Sequence, residues 1–452
     1  MEKMRFILIL RKISTLISLT IFLISASAFA QGKDQLDSPD AASSSPSMGM
    51  KTRTASDQYT LGPADCSSME YWDVAMNMPM PFPMAHMLMS VLMLHGYSFS
   101  TAIAEEGVAR GRADFSIPNM FMADLGTSVG DTQYVNLDIM LTAELWTVPK
   151  GGTPELFQIG ENKADGTPFL DAQHPHSSPL MGLTLSDTLA LGEDKSNLKL
   201  FFAPRGESTD GPIAFMHRVT GVVNPDAPLG HHVGQDVGHV SSTVLGESLK
   251  LGSLHFEASA FHGMESQPTQ VDLPIGLMDS WAFRLIGEFS PQVMAMVSYA
   301  YVNQPEPGIT NAERISASLY THTALSTDWT WHNTLVYGFI THIDNAPNLS
   351  SVLYEFLLNN SKINLFGRVE TLQRTPNQLQ IPGLPNPDSG RWVTAITLGL
   401  SGQVVAWDGW ELRSGFSVSN DQTPAEYSVV YEGNPITYKF FLELDGMQMT
   451  NL

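Results

Sequence analysis

Thr132–Trp146 reads TQYVNLDIMLTAELW, and its apolar residues fall on every second position. Val135, Leu137, Ile139, Leu141, Ala143 and Leu145 alternate with Asn136, Asp138, Thr142 and Glu144. Successive side chains of a strand point to opposite faces, so this period of two builds one greasy face and one wet face. A strand of that length and two-sided character suits a wall between lipid and water, because sandwich strands average only about 5–6 residues.

The same pattern recurs down the chain. Ser253–Gly263 sets Leu254, Phe256, Ala258 and Ala260 against His255, Glu257 and Ser259. Lys362–Leu372 alternates Ile363, Leu365 and Val369 with Asn364, Arg368 and Glu370, and Gly409–Ser419 sets Trp410, Leu412, Phe416 and Val418 against Glu411 and Arg413. Arg112–Asp124 and Gly238–Glu247 join the series, which comes to about 16 strands, within a range of roughly 14–18, an even number as bacterial outer-membrane barrels require. Connections alternate as well: GEDKSN, SLKLG, SPQ, LSTD and Asn360 are short, whereas 147–179, 205–237, 264–279, 304–311, 375–390 and 420–435 are long. The expected fold is therefore an all-β, antiparallel, up-and-down transmembrane barrel over residues 95–452.

The segments ahead of the barrel have their own signals. Residues 1–30 place Lys3, Arg5, Arg11 and Lys12 before the apolar run ISTLISLTIFLI and end in Ala28-Phe29-Ala30, the layout of a secretory signal peptide. No later stretch reaches the roughly 18 uninterrupted apolar residues of a membrane helix. Residues 31–68 are rich in Ser, Asp, Pro and Gly and read as a disordered periplasmic leader. Residues 69–94 are Met-rich: Met76, Met78, Met80, Met84 and Met87 surround His86. Thioether sulfur is a soft ligand suited to Cu(I), and Met is equally an adaptable filler of apolar gaps.

Charge and cysteine content narrow the partners. The formal net charge is −22, and the one cysteine, Cys66, excludes a disulfide within the chain. So acidic a chain disfavours nucleic acid and favours cations, and outer-membrane lipids are its other expected partner. Barrels of porin size commonly assemble as homotrimers, which leaves a trimer open.

The long stretch Gly211–Val240, GPIAFMHRVTGVVNPDAPLGHHVGQDVGHV, is broken by prolines and glycines and reads as a functional loop. His217, His231, His232, Asp236 and His239 lie in it, and His174 and His176 lie in the preceding long connection. The topology gathers these histidines at one rim, together with His262. Converging there with Asp171, Asp236 and Glu265, they would make a Zn(II) or Cu(II) site. The same side chains also suit a rigid loop packed into the barrel mouth by hydrogen bonds, and the two roles are compatible. Copper and zinc are the candidate cofactors.

Several of these stretches together, TPELFQIGE, Asp165-Gly166, DAQHPH, GPIAFMHR, NPDAPLGHH, Gln235-Asp236 with His239, FHG with Glu265, and LMDSWAFRL, resemble an uncharacterised family of bacterial outer-membrane barrels. That family is often encoded beside copper and heavy-metal resistance systems and carries a Met/His-rich stretch ahead of its first strand. Where the family continues HPH with an acidic residue and bulky aromatics, this chain has Ser177-Ser178; and where such barrels commonly end on an aromatic residue at the close of the last strand, this chain runs on in FFLELDGMQMTNL, whose tail reads as a short overhang past a last strand over Ile436–Asp445. The resemblance implies a porin-like barrel linked to metal handling.

No G-x-S-x-G, H-E-x-x-H, Walker loop or paired C-x-x-C is found, so no catalytic residues are expected. Inward charges at Asp138, Glu144, Glu257, Arg284, Glu288, Arg368, Glu370, Glu411, Arg413, Lys439 and Glu443 predict a hydrated lumen crossed by ion pairs, with an acidic excess. The expected function is a cation-preferring porin-like channel, the alternative a non-conducting barrel that captures Cu or Zn.

Overall fold

The computed structural model describes residues 90–130, 132–163, 165–191, 196–235, 238–305, 311–342 and 347–452. The signal peptide, the leader, Met76, Met78, Met80, Met84, His86, Met87 and Asp236 lie outside them.

Alternation over long segments yields nineteen strands in the described residues. They are β1 (Ser90–Glu106), β2 (Ala113–Ser116), β3 (Asn119–Val129), β4 (Gln133–Leu141), β5 (Thr153–Asn162), β6 (Pro168–Gln173), β7 (Leu180–Ala190), β8 (Asn197–Gly206), β9 (Ser241–Leu251) and β10 (Leu254–His262). Beyond the midpoint follow β11 (Ser280–Ser290), β12 (Val293–Asn303), β13 (Asn311–Ala324), β14 (Thr330–His342), β15 (Leu349–Asn359), β16 (Ile363–Arg374), β17 (Arg391–Trp407), β18 (Trp410–Gln422) and β19 (Ile436–Asn451). All but β5 and β6 pair antiparallel in one sheet, and β1 pairs with β19 from Val91↔Asn451 to Glu106↔Ile436, so the sheet closes on itself. With β2 and β3 sharing one stave, the barrel has 16 staves. Among the described residues no helix is long and apolar enough to cross a membrane, and the strands do the crossing.

Side-chain burial is inverted relative to a soluble protein. Phe283 is 55% exposed, Leu398 54% and Phe440 66%, whereas Arg413 is fully buried and Glu411 1% exposed. The greasy face of each strand therefore looks outward and the wet face looks into the lumen. Trp281 and Trp392 lie at the long-connection end and Trp331 at the short-turn end, the two levels at which aromatic girdles form. A closed barrel with this belt belongs in the bacterial outer membrane. At one end the staves are joined by tight turns such as Asp408-Gly409, where both residues take positive φ (42° and 86°), as a two-residue hairpin loop of matching twist demands.

Two strand expectations are corrected. The strand expected over Arg112–Asp124 is broken into β2 and β3 at Ile117-Pro118, because proline has no N–H for the ladder. The strand expected to reach Trp146 stops at Leu141, and Glu144–Thr147 forms a single helical turn, α1, so Glu144 is not a stave residue. This turn docks on the Pro118 break: Ala143 N–H donates to Asn119 Oδ1 (2.8 Å) and the Thr142 hydroxyl to Asn119 O (2.8 Å). Within the long connection that follows, β5 and β6 pair as a separate hairpin.

The β8–β9 connection, residues 207–240, does not rest on the rim. It dives into the barrel and crosses to the far side. Gly211 N–H donates to Ser298 Oγ on β12 and Ile213 N–H to Tyr320 Oη on β13. Arg218 donates to Glu355 on β15 (3.1 Å), and Leu229 N–H to Glu370 on β16 (2.7 Å). Phe215, Met216, Val219 and Val223 of this insert pack in the lumen with Phe99, Met120, Phe366 and Phe441 of the wall. Burying a guanidinium is tolerated here because Glu355 is shared by Arg218 and Arg368, and Thr220 donates to the same carboxylate.

Candidate metal centre

The site begins with a break in a strand. Pro118 ends β2, the bend admits α1, and α1 buries Glu144 against the start of the lumen insert's neighbour, the 174–178 segment. The Glu144 carboxylate accepts from His176 N–H (2.7 Å) and faces His176 Nδ1 (3.2 Å). With Nδ1 donating to that carboxylate, Nε2 is left with its lone pair. His174 Nδ1 meets Pro175 O at 3.3 Å, and a carbonyl only accepts, so His174 Nε2 is a lone pair as well.

Both lone pairs point at further imidazoles. His174 Nε2 lies 3.2 Å from His232 Nε2, and His176 Nε2 lies 3.1 Å from His239 Nε2. His231 completes the group, with its ring 4.5 Å from His232 and 4.7 Å from His239. One potential ligand atom each of His174, His231 and His232 lies within 4.8 Å of the other two. Nitrogens bound tetrahedrally at 2.0–2.1 Å from a zinc ion are about 3.3–3.4 Å apart, close to the two facing separations.

The insert holds its three histidines by close backbone approach. Gly234 takes φ 71°, and a Cβ there would meet Phe339 N at 2.7 Å; a Cβ on Gly338 would meet Val233 O at 2.2 Å. Only glycine at both positions lets residues 231–235 lie against β14. Burial pushes the His174 imidazole down to about 3, with its imidazole neighbours adding to the effect, and burial drives His231 and His232 well below the usual histidine range. Neutral rings are the ligand form of histidine.

Of the sequence-predicted ligands, the structure gathers His174, His176, His231, His232 and His239 in one cavity that Glu161, Arg205 and Glu265 also line. His217 is placed elsewhere, its Nε2 on Glu207 Oε1 at 2.7 Å, toward the deep end of the insert. His262 is also placed elsewhere, with Nδ1 3.1 Å from Leu277 O. Asp171 binds Arg110, Tyr431 Oη and Phe157 N–H in the hairpin, and Glu265 is paired with Arg314 (2.9 Å). The expected single rim cluster is therefore a buried centre shared by two connections. Glu144 was read as a lumen charge; its role behind His176 depends on the Pro118 bend, and the proline was the available signal.

The sequence matches no protein-family model and no curated protein. Among solved structures the chain is similar to OmpF of Salmonella typhi in complex with daunomycin, at 10% identity over 79% of this chain and 97% of that one, with a TM-score of 0.48. It is also similar to an anion-selective porin from Comamonas acidovorans (9% identity, 79% and 99% covered, TM-score 0.47) and to the outer membrane channel DcaP of Acinetobacter baumannii (10% identity, 78% and 97% covered, TM-score 0.43).

Proposed function

We propose that the chain is a porin-like outer-membrane channel that prefers cations and takes part in copper or heavy-metal handling. The observation that carries the cation preference is the placing of carboxylate against carboxylate on the inner wall. Asp124 pairs in register with Asp138 across β3 and β4, and Glu411 with Asp445 across β18 and β19. Arg413 donates to Glu411 (2.8 Å) and His95 Nε2 lies 3.2 Å from Asp124, which offsets part of each pair; like charges directly opposite on a sheet still repel, and a mobile cation between them relieves that repulsion. The net charge of −22 adds a long-range pull of the same sign.

Planar-bilayer recording on refolded protein in a KCl gradient tests this reading. A reversal potential of cation-selective sign is expected; absence of conductance steps, or anion selectivity, overturns it. Cross-linking in detergent tests a homotrimer, whose band would run at three times the chain mass.

A second reading, a non-conducting barrel that captures Cu or Zn, is favoured by the apolar packing of the insert inside the lumen. Metal binding without any current would select it. In that reading the Met-rich residues 76–87 act as a first Cu(I) ligand set, and deletion of 69–89 lowers Cu(I) uptake.

A further inference from the structure

His174 and His176 close one long connection, and His231, His232 and His239 belong to the other, the one that crosses the lumen. Around the centre, no peptide link joins the two within fifty residues. We propose that one borderline divalent transition ion, Zn(II) or Cu(II), is held by His174, His231 and His232 and staples the lumen insert to the β4–β7 connection, so that metal occupancy sets how firmly the insert stays in the barrel. The consequence for current rests on the channel reading above; the binding and the stapling do not.

Imidazole nitrogen is the donor that suits zinc and copper, whereas calcium and magnesium take oxygen, so the ligand set selects the class of ion. The three donor atoms need only small movements to reach a common ion, because they already lie within 4.8 Å of one another. Ligand rings are oriented from behind: Pro175 O holds His174 and Glu144 holds His176, the arrangement in which an outer oxygen fixes the tautomer of a metal-bound histidine. The facing pair His176 and His239 borders the three and is the natural source of a fourth ligand. A bond from each connection to one ion closes a loop between them, and such a clip restricts the freedom of both.

The test uses the full-length protein refolded in lipid, stripped with a chelator and then titrated with Zn(II) alone. Three outcomes together support the proposal: one Zn(II) bound per chain, amide exchange across residues 211–240 slowed at least about tenfold on loading, and both effects lost in His174→Ala/His232→Ala but kept in His262→Ala. Binding that survives the double substitution, or binding without any slowing of exchange, overturns it. Should the double variant fail to fold, the intact protein loaded with Co(II) decides: visible absorption of a tetrahedral nitrogen-ligated ion supports the centre, and its absence overturns it. Zinc-dependent protection in a protein that passes no current leaves the staple standing and removes the channel; a conducting protein indifferent to zinc does the reverse.

Discussion

Two sets of histidines share this barrel and meet different surroundings. On the wall, His95 faces Asp124 at 3.2 Å and His255 faces Glu288 at 2.7 Å. At the centre, His174 faces His232 and His176 faces His239, ring nitrogen to ring nitrogen. An imidazole against a carboxylate meets an oxygen that can accept its ring N–H. Imidazoles against each other need a shared proton or a cation between them. The difference teaches that histidine in this lumen has two uses, and that the partner opposite the ring decides which.

Removing donors should break the contrast most completely. His174→Ala/His232→Ala, which removes two of the three donors, is expected to abolish measurable Zn(II) binding in chelator competition, while His255→Ala leaves it unchanged. Next in size is the seat of the insert. Gly338→Ala places a methyl 2.2 Å from Val233 O, and overpacking of this kind costs about 1–3 kcal/mol. Residues 231–235 should then shift from β14, seen as faster proteolysis of the insert and weaker zinc binding.

Glu144→Gln sharpens the comparison from behind the ring. Losing an outer-shell carboxylate typically costs 10–100-fold in metal affinity, so zinc binding should fall by roughly that factor, while Glu288→Gln on the wall has no effect on it. Acid on the metal-free protein probes the same rings with no ion present. His174, His231 and His232 are held neutral far below their ordinary range, whereas in the unfolded chain they protonate near pH 6.5. Below that pH the unfolded state binds more protons, so stability contributed by these rings is complete above about pH 6.5 and declines as acid is added. Between pH 7 and pH 5 the thermal midpoint of the metal-free protein should therefore move in the destabilising direction relative to that of a centre-less His174→Ala/His231→Ala/His232→Ala variant measured at the same two pH values.

The staves were legible because each carries its own two-sided pattern. Leu285 and Phe283 point out, Arg284 points in, and nothing beyond strand periodicity is needed to say so. β4 was read too long because TAELW continues the alternation after Leu141; tertiary contacts to Asn119 outweigh that local pattern and wind Glu144 into a turn. The histidines were identified by residue type and loop position. Their sorting was not: His217 shares a connection with His231 and His232, yet it turns to Glu207 while they turn to His174.

From the order of its residues alone, this chain specified a curled sheet with lipid on one side and charge on the other, since period-two patterning is a property of neighbours in sequence. Which imidazoles meet, and that the 207–240 connection enters the lumen instead of leaving it, was decided only by three-dimensional packing. Those contacts join residues far apart along the chain, where glycine-to-glycine approach at 234 and 338 and ion pairs such as Arg218 with Glu355 set the position, and no local pattern encodes such pairs.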